Sequence, residues 1–382
     1  MEEFDEILVE DFIEDDIEVL DFINMGYPRR IFRRPNYYEE MSEMEFFRRI
    51  RLTKPTVMTL LTQIEDELEY PDDRHAVMFA GYEAFECTYL VYGRNNSLSP
   101  MNQLLLTLRF YASSGHLIQT ADFMNVDVST ASRVIAYVSR VIASLRPRIV
   151  NMPYPQQHVR AQNEFFNIAG FPKVLALIDC THVKIDSPGG HNGEIYRNRK
   201  SYFSLNVQCL TDANLKFLDV VARWPGSTHD ATIFANSSIR ARLEHGELGG
   251  SVIIGDSGYP LRNYLMTPLT NPVTPGENLY NEALIRTRNA IERTFGIWKR
   301  RFPVVAYGLR LKLETVMVII VATIVLHNVA RDMNEPDPPL PEDINEDELN
   351  YLIQTQQIDM ELGDGGHVNV VQNELVRYFS NL

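Results

Sequence analysis

Val174-Leu175-Ala176-Leu177-Ile178-Asp179 sets five apolar residues in a row and stops them on an acid. A short apolar run of this kind reads as a buried strand. The pattern returns at Val252-Ile253-Ile254-Gly255-Asp256, where the acid is followed by the turn Ser257-Gly258-Tyr259. Between the two, Leu205 to Leu210 and Phe217 to Ala222 are strand-like, and Asp212-Ala213-Asn214 joins them as a hairpin. Residues 228–244 read as a helix, 281–302 as an Arg-rich helix and Thr315 to Ala330 as an apolar one. Strand, hairpin, helix, strand and then helices predict a mixed α/β domain over 161–331.

Upstream the texture is helical. Met44, Phe47, Ile50, Leu52, Val57, Leu60, Leu61, Ile64 and Leu68 recur at helical spacing. Pro55 fits the first turn of a second helix, and the turn-rich stretch 71–97 reads as a loop or linker. Ser99-Pro100 starts a helix running to about Ser114, His116 to Met124 is a second, and Ser129 would cap a third through Val141. This is the outline of a helix-turn-helix within a helical domain spanning 41–160. If it reads DNA, Arg133 and Arg140 are placed to reach it. The same pattern also fits a small bundle that only packs against a neighbour.

The chain has 382 residues, 45% of them hydrophobic and 23% charged, enough apolar material for a real core. Its three cysteines (Cys87, Cys180 and Cys209) form no CxxC pair. A disulfide framework and a thiolate zinc site are therefore not expected, and a reducing compartment fits. The acidic start is unlike a signal peptide. The apolar run Val316 to Leu326 is too short to span a bilayer and reads as a buried helix. The net charge is −15, distributed unevenly. Residues 1–40 carry 13 acids and 4 bases, and residues 332–382 carry 12 acids and 1 base, which leaves the body at +5. We therefore expect an acidic arm (1–40) and an acidic C-terminal tail (332–382), both solvated and disordered; a sharper expectation is that they shield the body from non-specific DNA, or that the C-terminal one docks a basic partner.

Four acids draw the chemistry together. Asp179 and Asp256 end strands, Asp230 follows His229 in the loop after the third strand, and Glu292 sits in the Arg-rich helix. An acid at the end of an apolar strand is costly without compensation, and a divalent cation supplies it. Local explanations exist for three of them: a cap for Asp230, its own turn for Asp256, and a pair with Arg288 or Arg293 for Glu292. Asp179 has little local compensation. Acids so placed are known to hold two metal ions about 4 Å apart, one activating water and one stabilising the leaving oxygen of a phosphodiester. Six bases accompany one acid between 286 and 301, and Arg197, Arg199 and Lys200 form a second cluster. Both suit phosphate. The candidate DNA-contacting residues are thus Arg133, Arg140, Arg197, Arg199, Lys200, Arg293, Lys299 and Arg300. His182 and His229 are second candidates beside the acids, with a structural hydrogen bond as the plainer role. His327-Asn328 fit a buried polar role and Trp298 core packing. Neither a P-loop nor a GxSxG elbow is present.

The motifs Ile178-Asp179-Cys180-Thr181-His182, Trp224-Pro225-Gly226-Ser227-Thr228-His229-Asp230, Gly255-Asp256-Ser257-Gly258-Tyr259 and Ile291-Glu292-Arg293-Thr294-Phe295-Gly296 occur in this order, with 51, 26 and 36 positions between successive acids. Leu265-Met266-Thr267-Pro268-Leu269 and Leu326-His327-Asn328 add to them. In these motifs, over about 170–330, the chain resembles the PIF/Harbinger superfamily of DDE transposases, including the transposase-derived nucleases of animals. The resemblance implies an RNase H-like catalytic core. It implies Asp179, Asp256 and Glu292 as the catalytic triad, and Asp230 as a further ligand of Mg²⁺ or Mn²⁺. It also implies a Myb/SANT-type DNA-binding partner that helps bring the nuclease into the nucleus from a cytoplasmic pool. Two functions follow: a metal-dependent DNA endonuclease, or a domesticated scaffold that binds DNA or protein and cleaves nothing.

Overall fold

The computed structural model describes residues 35–69, 98–190, 192–340, 343–356 and 369–382. The acidic arm up to residue 34, the expected linker 71–97 and Cys87 lie outside them. After a single helical turn at Tyr37–Glu40 come α1 (Glu43–Ile50) and α2 (Lys54–Glu69), the latter with Pro55 in its first turn. The expected three-helix segment follows as α3 (Pro100–Tyr111), α4 (Leu117–Phe123) and α5 (Val128–Ser144). Ser99 caps α3, with Pro100 at its first position. The cap of α5 is Asp127, not Ser129: its carboxylate accepts the Ser129 N–H at 2.8 Å. Then come α6 (His158–Ala169), β1 (Val174–Lys184), β2 (Ser204–Thr211), β3 (Phe217–Pro225), α7 (Asp230–Ala235), α8 (Ser238–Glu244), β4 (Val252–Ile254) and β5 (Leu265–Met266). The chain continues through α9 (Pro275–Arg301), α10 (Leu313–Asp332), α11 (Glu346–Thr355) and α12 (Val370–Ser380).

The five strands form one mixed sheet in the order β3-β2-β1-β4-β5. β1 pairs antiparallel with β2, which pairs antiparallel with β3 across the expected hairpin. Asp212 pins that turn by accepting the N–H groups of Asn214 and Lys216. β1 also pairs parallel with β4, and β4 with β5. A mixed sheet flanked by helices is the α/β architecture expected of an RNase H-like core.

Three expectations change here. β1 does not stop at Asp179. It continues to Lys184, because Cys180 through Lys184 stay paired with β2. The helix over 228–244 is two short helices, since Ser237 accepts the Arg240 N–H and starts α8 afresh. The Arg-rich helix begins at Pro275, where Thr274 and Glu277 form a reciprocal capping box.

The sheet carries a core on each face. One runs from Met41 to Phe379 and takes in α1–α5, α9, α10 and one side of the sheet. The N-terminal helices and the sheet domain therefore share one core. The other face packs Ile178, Cys180, Leu210 and Ile253 against Ile233 and Phe234 of α7 and Ile239 and Leu243 of α8. α10 contains the apolar run of the sequence; at 20 residues the helix is longer than that run and long and apolar enough to cross a membrane, but 67% of its apolar stretch is buried inside the protein, as expected of a core helix. On it, His327 donates to Leu215 O at 2.8 Å, and Asn328 bonds both the N–H and the C=O of Phe217. The pair staples the hairpin to the core. Trp298 is buried as core, with its indole N–H on Thr323.

The acidic C-terminal segment is not a solvated tail where it is described. Leu349 and Ile353 of α11 pack with Ala306, and Leu375 and Phe379 of α12 join the main core. At the end of α11, Gln356 O accepts the His182 N–H of β1. Its acids face bases of the body: Glu346 pairs with Arg300 at 2.5 Å and Asp343 with Arg109 at 3.1 Å.

Candidate metal centre

Asp179 lies at the middle of β1, opposite Cys209 of β2. Asp256 follows β4, the parallel neighbour of β1, and accepts the Gly258 N–H on Oδ1 at 3.1 Å. A Cβ on Gly258 would come within 3.2 Å of that oxygen, so the close turn suits glycine. Asp230 is the first residue of α7. The loop before it packs tightly on β2: a Cβ on Gly226 would fall 2.2 Å from Ser204 Oγ. Asn206 of β2 fixes the approach by donating to Thr228 O and to Asp230 Oδ1, each at 2.9 Å.

Three elements thus bring Asp179, Asp230 and Asp256 together, with one carboxylate oxygen of each within 4.8 Å of the others. All three are buried, at 5%, 8% and 2% exposure. Burial pushes each carboxyl above its usual range. Mutual repulsion adds to this at Asp179, through Asp256 and Asp230, and at Asp256, through Asp230. The opposing charge is the guanidinium of Arg288 on α9, which donates to Asp179 Oδ2 at 2.9 Å. Among the described residues, Arg288 is in direct contact with one of the three crowded carboxylates and Arg199 also opposes the charge of Asp230, which leaves the trio short of positive charge. Hard oxygen donors so placed fit Mg²⁺ or Mn²⁺.

Glu292 is not part of the trio. It stands one turn beyond Arg288 on α9, and its Oε1 takes the other arm of that guanidinium at 2.5 Å. Its side chain is 35% exposed. Of the two sequence expectations for Glu292, the structure shows the intrahelical pair with Arg288; it does not bring Glu292 to the trio as a ligand.

The histidines take the plainer role. His182 is buried on β1 with Nδ1 3.1 Å from Ser204 Oγ, and burial pushes it down to about 3. His229 precedes α7 and its Nδ1 lies 2.6 Å from Arg199 Nη2. Arg199 and Lys200 are exposed in the loop before β2. Arg197 is exposed too, but paired with Glu194 at 2.8 Å. Arg293 is exposed on α9, and Arg133 and Arg140 are exposed on α5. Arg300 is committed to Glu346. Lys299 cannot meet DNA as expected, because it is fully buried. It donates to Thr181 Oγ1, His182 O and Gln356 Oε1 at 2.8–2.9 Å.

Asn206 and the bridging role of Arg288 were not visible in sequence. Arg288 had a signal, its position four residues before Glu292. Asn206 had none, because its partner is set by strand register and by a loop 24 residues away. Cys180 and Tyr259 stand in the quoted motifs without an assigned role. Their Sγ and Oη lie 3.3 Å apart under the trio, both buried.

Comparison with known proteins places these residues in context. The DDE superfamily endonuclease domain matches residues 178–328. A Bos taurus protein named "Putative nuclease HARBI1" is 34% identical over 241 residues, 62% of this chain and 69% of that protein. The Homo sapiens protein of the same name is 33% identical over the same shares. An Arabidopsis thaliana "Protein ALP1-like" is 26% identical over 67% of this chain and 66% of its own length. No solved structure matches.

Proposed function

Because the chain belongs to the Harbinger-derived DDE superfamily endonucleases, we propose that it cleaves DNA phosphodiester bonds with Mg²⁺ or Mn²⁺ held by Asp179, Asp230 and Asp256. The observation that carries this is the buried trio with its carboxylate oxygens within 4.8 Å and one guanidinium to balance it. A bound divalent ion supplies Lewis acidity and a water made nucleophilic at neutral pH. The chain's own residues do the rest. β1 and β4 hold Asp179 and Asp256 on rigid neighbouring strands, and Asn206 orients Asp230. Glu292 completes the acids from α9 for a two-metal arrangement. Arg199, Lys200 and Arg293 offer phosphate contacts at exposed positions.

A body of only +5, with acids of the C-terminal segment already on Arg300 and Arg109, supports a division of labour. A basic partner of Myb/SANT type would bring the DNA and carry the nuclease into the nucleus. The scaffold alternative has one observation in its favour: Arg288 neutralises Asp179 and Glu292 without any metal.

The test is nicking of supercoiled plasmid in Mg²⁺ or Mn²⁺, with and without such a partner. Wild type should nick. Asp179→Asn and Glu292→Gln should lose nicking while keeping the wild-type circular-dichroism spectrum. Cleavage retained in both variants would defeat the proposal, and a wild type inert under all these conditions would favour the scaffold.

A further inference from the structure

Arg288 joins the strand acid to the helix acid. Nη1 donates to Asp179 and Nη2 to Glu292. The side chain is buried, at 6% exposure, yet its Nε has no partner among the described residues. Two other buried arginines near the same helix differ. Arg51 spends Nε and both terminal nitrogens on the carbonyls of Arg301, Pro339 and Arg300. Arg301 spends both terminal nitrogens on the carbonyls of Arg51 and Pro336. Those two clamp backbone, whereas Arg288 holds only the two carboxylates.

We propose that Arg288 is a built-in cation that limits the DNA-free chain to one divalent ion at the trio, and that a DNA phosphate releases it to open a second position at Glu292. This rests on the metal-site reading above. The physical case has three parts. A guanidinium lying between Asp179 and Glu292 repels a second dication there at short range. It also satisfies Glu292, which would otherwise be drawn to the ion at the trio. And a guanidinium fork fits phosphate as well as carboxylate, so an arriving DNA backbone offers it an equivalent partner. Of its two partners, Asp179 is buried at 7% exposure and Glu292 is 35% exposed, so the Nη2 arm is the one whose partner solvent reaches. Arg288 is thus a positioning residue that makes the full set of acids available only with substrate present.

The experiment is calorimetric titration of Mn²⁺ into the full chain, counting ions bound. Wild type should take one ion alone and two with a short DNA duplex, after subtraction of the duplex's own binding. Arg288→Gln should take two without DNA, and Arg288→Gln combined with Glu292→Gln should return to one. If Arg288→Gln does not fold, the wild-type count with and without duplex carries the test by itself. One ion in folded Arg288→Gln, or two in wild type without DNA, would overturn the inference and leave the metal reading standing. No Mn²⁺ bound by any of these proteins, with or without DNA, would overturn both.

Discussion

Two buried charged clusters lie along α9, about three turns apart from Arg288 to Lys299, and they are built in opposite ways. Toward the C-terminal end, Lys299 gives its three protons to three acceptors, and Arg51 and Arg301 clasp each other's backbone carbonyls. Glu335 completes that end, near Arg301 and bonded to Thr53 and Thr56. In the middle of the helix, Asp179, Asp230 and Asp256 crowd together and Arg288 is asked to serve Asp179 and Glu292 at once. Both clusters are expensive to bury. The first gives its terminal donors acceptors within the protein, although burial still penalises the Lys299 charge, and is scaffold. The second leaves its three carboxylates short of opposing charge, which is what the proposed divalent ion would supply. Burial of charge alone does not mark function; burial with the compensation missing does.

The comparison breaks if the scaffold cluster governs metal binding. Arg51→Ala removes a guanidinium from one buried and two part-buried carbonyls, and the expected cost is about 4 kcal/mol of stability. Mn²⁺ affinity of the folded fraction should be unchanged. Urea unfolding together with calorimetry reads both, and a loss of affinity in folded protein would collapse the distinction.

It sharpens at Asn206, which belongs to the other class. Asn206→Ala should weaken Mn²⁺ binding by about 10–100-fold, the usual cost of losing a partner that orients a ligand. Asn206→Asp, which cannot donate to Asp230, should be no better. A purely structural asparagine would lower the urea midpoint and leave the metal isotherm alone.

Lys299 gives the scaffold cluster a pH signature. Burial pushes its ammonium down to about 7 from an ordinary 10.5. Above 7 the unfolded chain therefore holds a proton that the folded chain has released. Stability from this group rises with pH, by up to about 1.4 kcal/mol per unit between about 7 and 9. Lys299→Met should remove that slope. Urea midpoints of both proteins at the two ends of the window give the difference directly; equal slopes would show that Lys299 keeps its charge when buried.

How much of this was written locally in the sequence depends on the distance of the partner. The hairpin, the strand before Asp256 and the start of α3 were legible, because their turn and cap residues lie within a few positions of what they organise. Asp179 was identified as an acid needing compensation but misplaced at a strand end. Thr181 and His182 look like loop residues until Lys299, more than 100 positions away, is seen to bind them. The C-terminal segment was read through its net charge. The i, i+4 pairs Leu349/Ile353 and Leu375/Phe379, each an apolar face of one helix, carried the contrary signal. Of the site, the four acids were legible as a set through their motifs. That three of them form the trio while Glu292 is held off by Arg288 is a property of side-chain geometry, which spacing along the chain does not encode.

The most direct measurement is calorimetric titration of Mn²⁺ into wild-type protein and into Asp179→Asn, both checked for fold by circular dichroism. Saturable binding in wild type that is lost, or weakened at least about 100-fold, in the variant is the expected result. Equal binding by both, or none by wild type, would contradict the claim that this buried trio is a metal site.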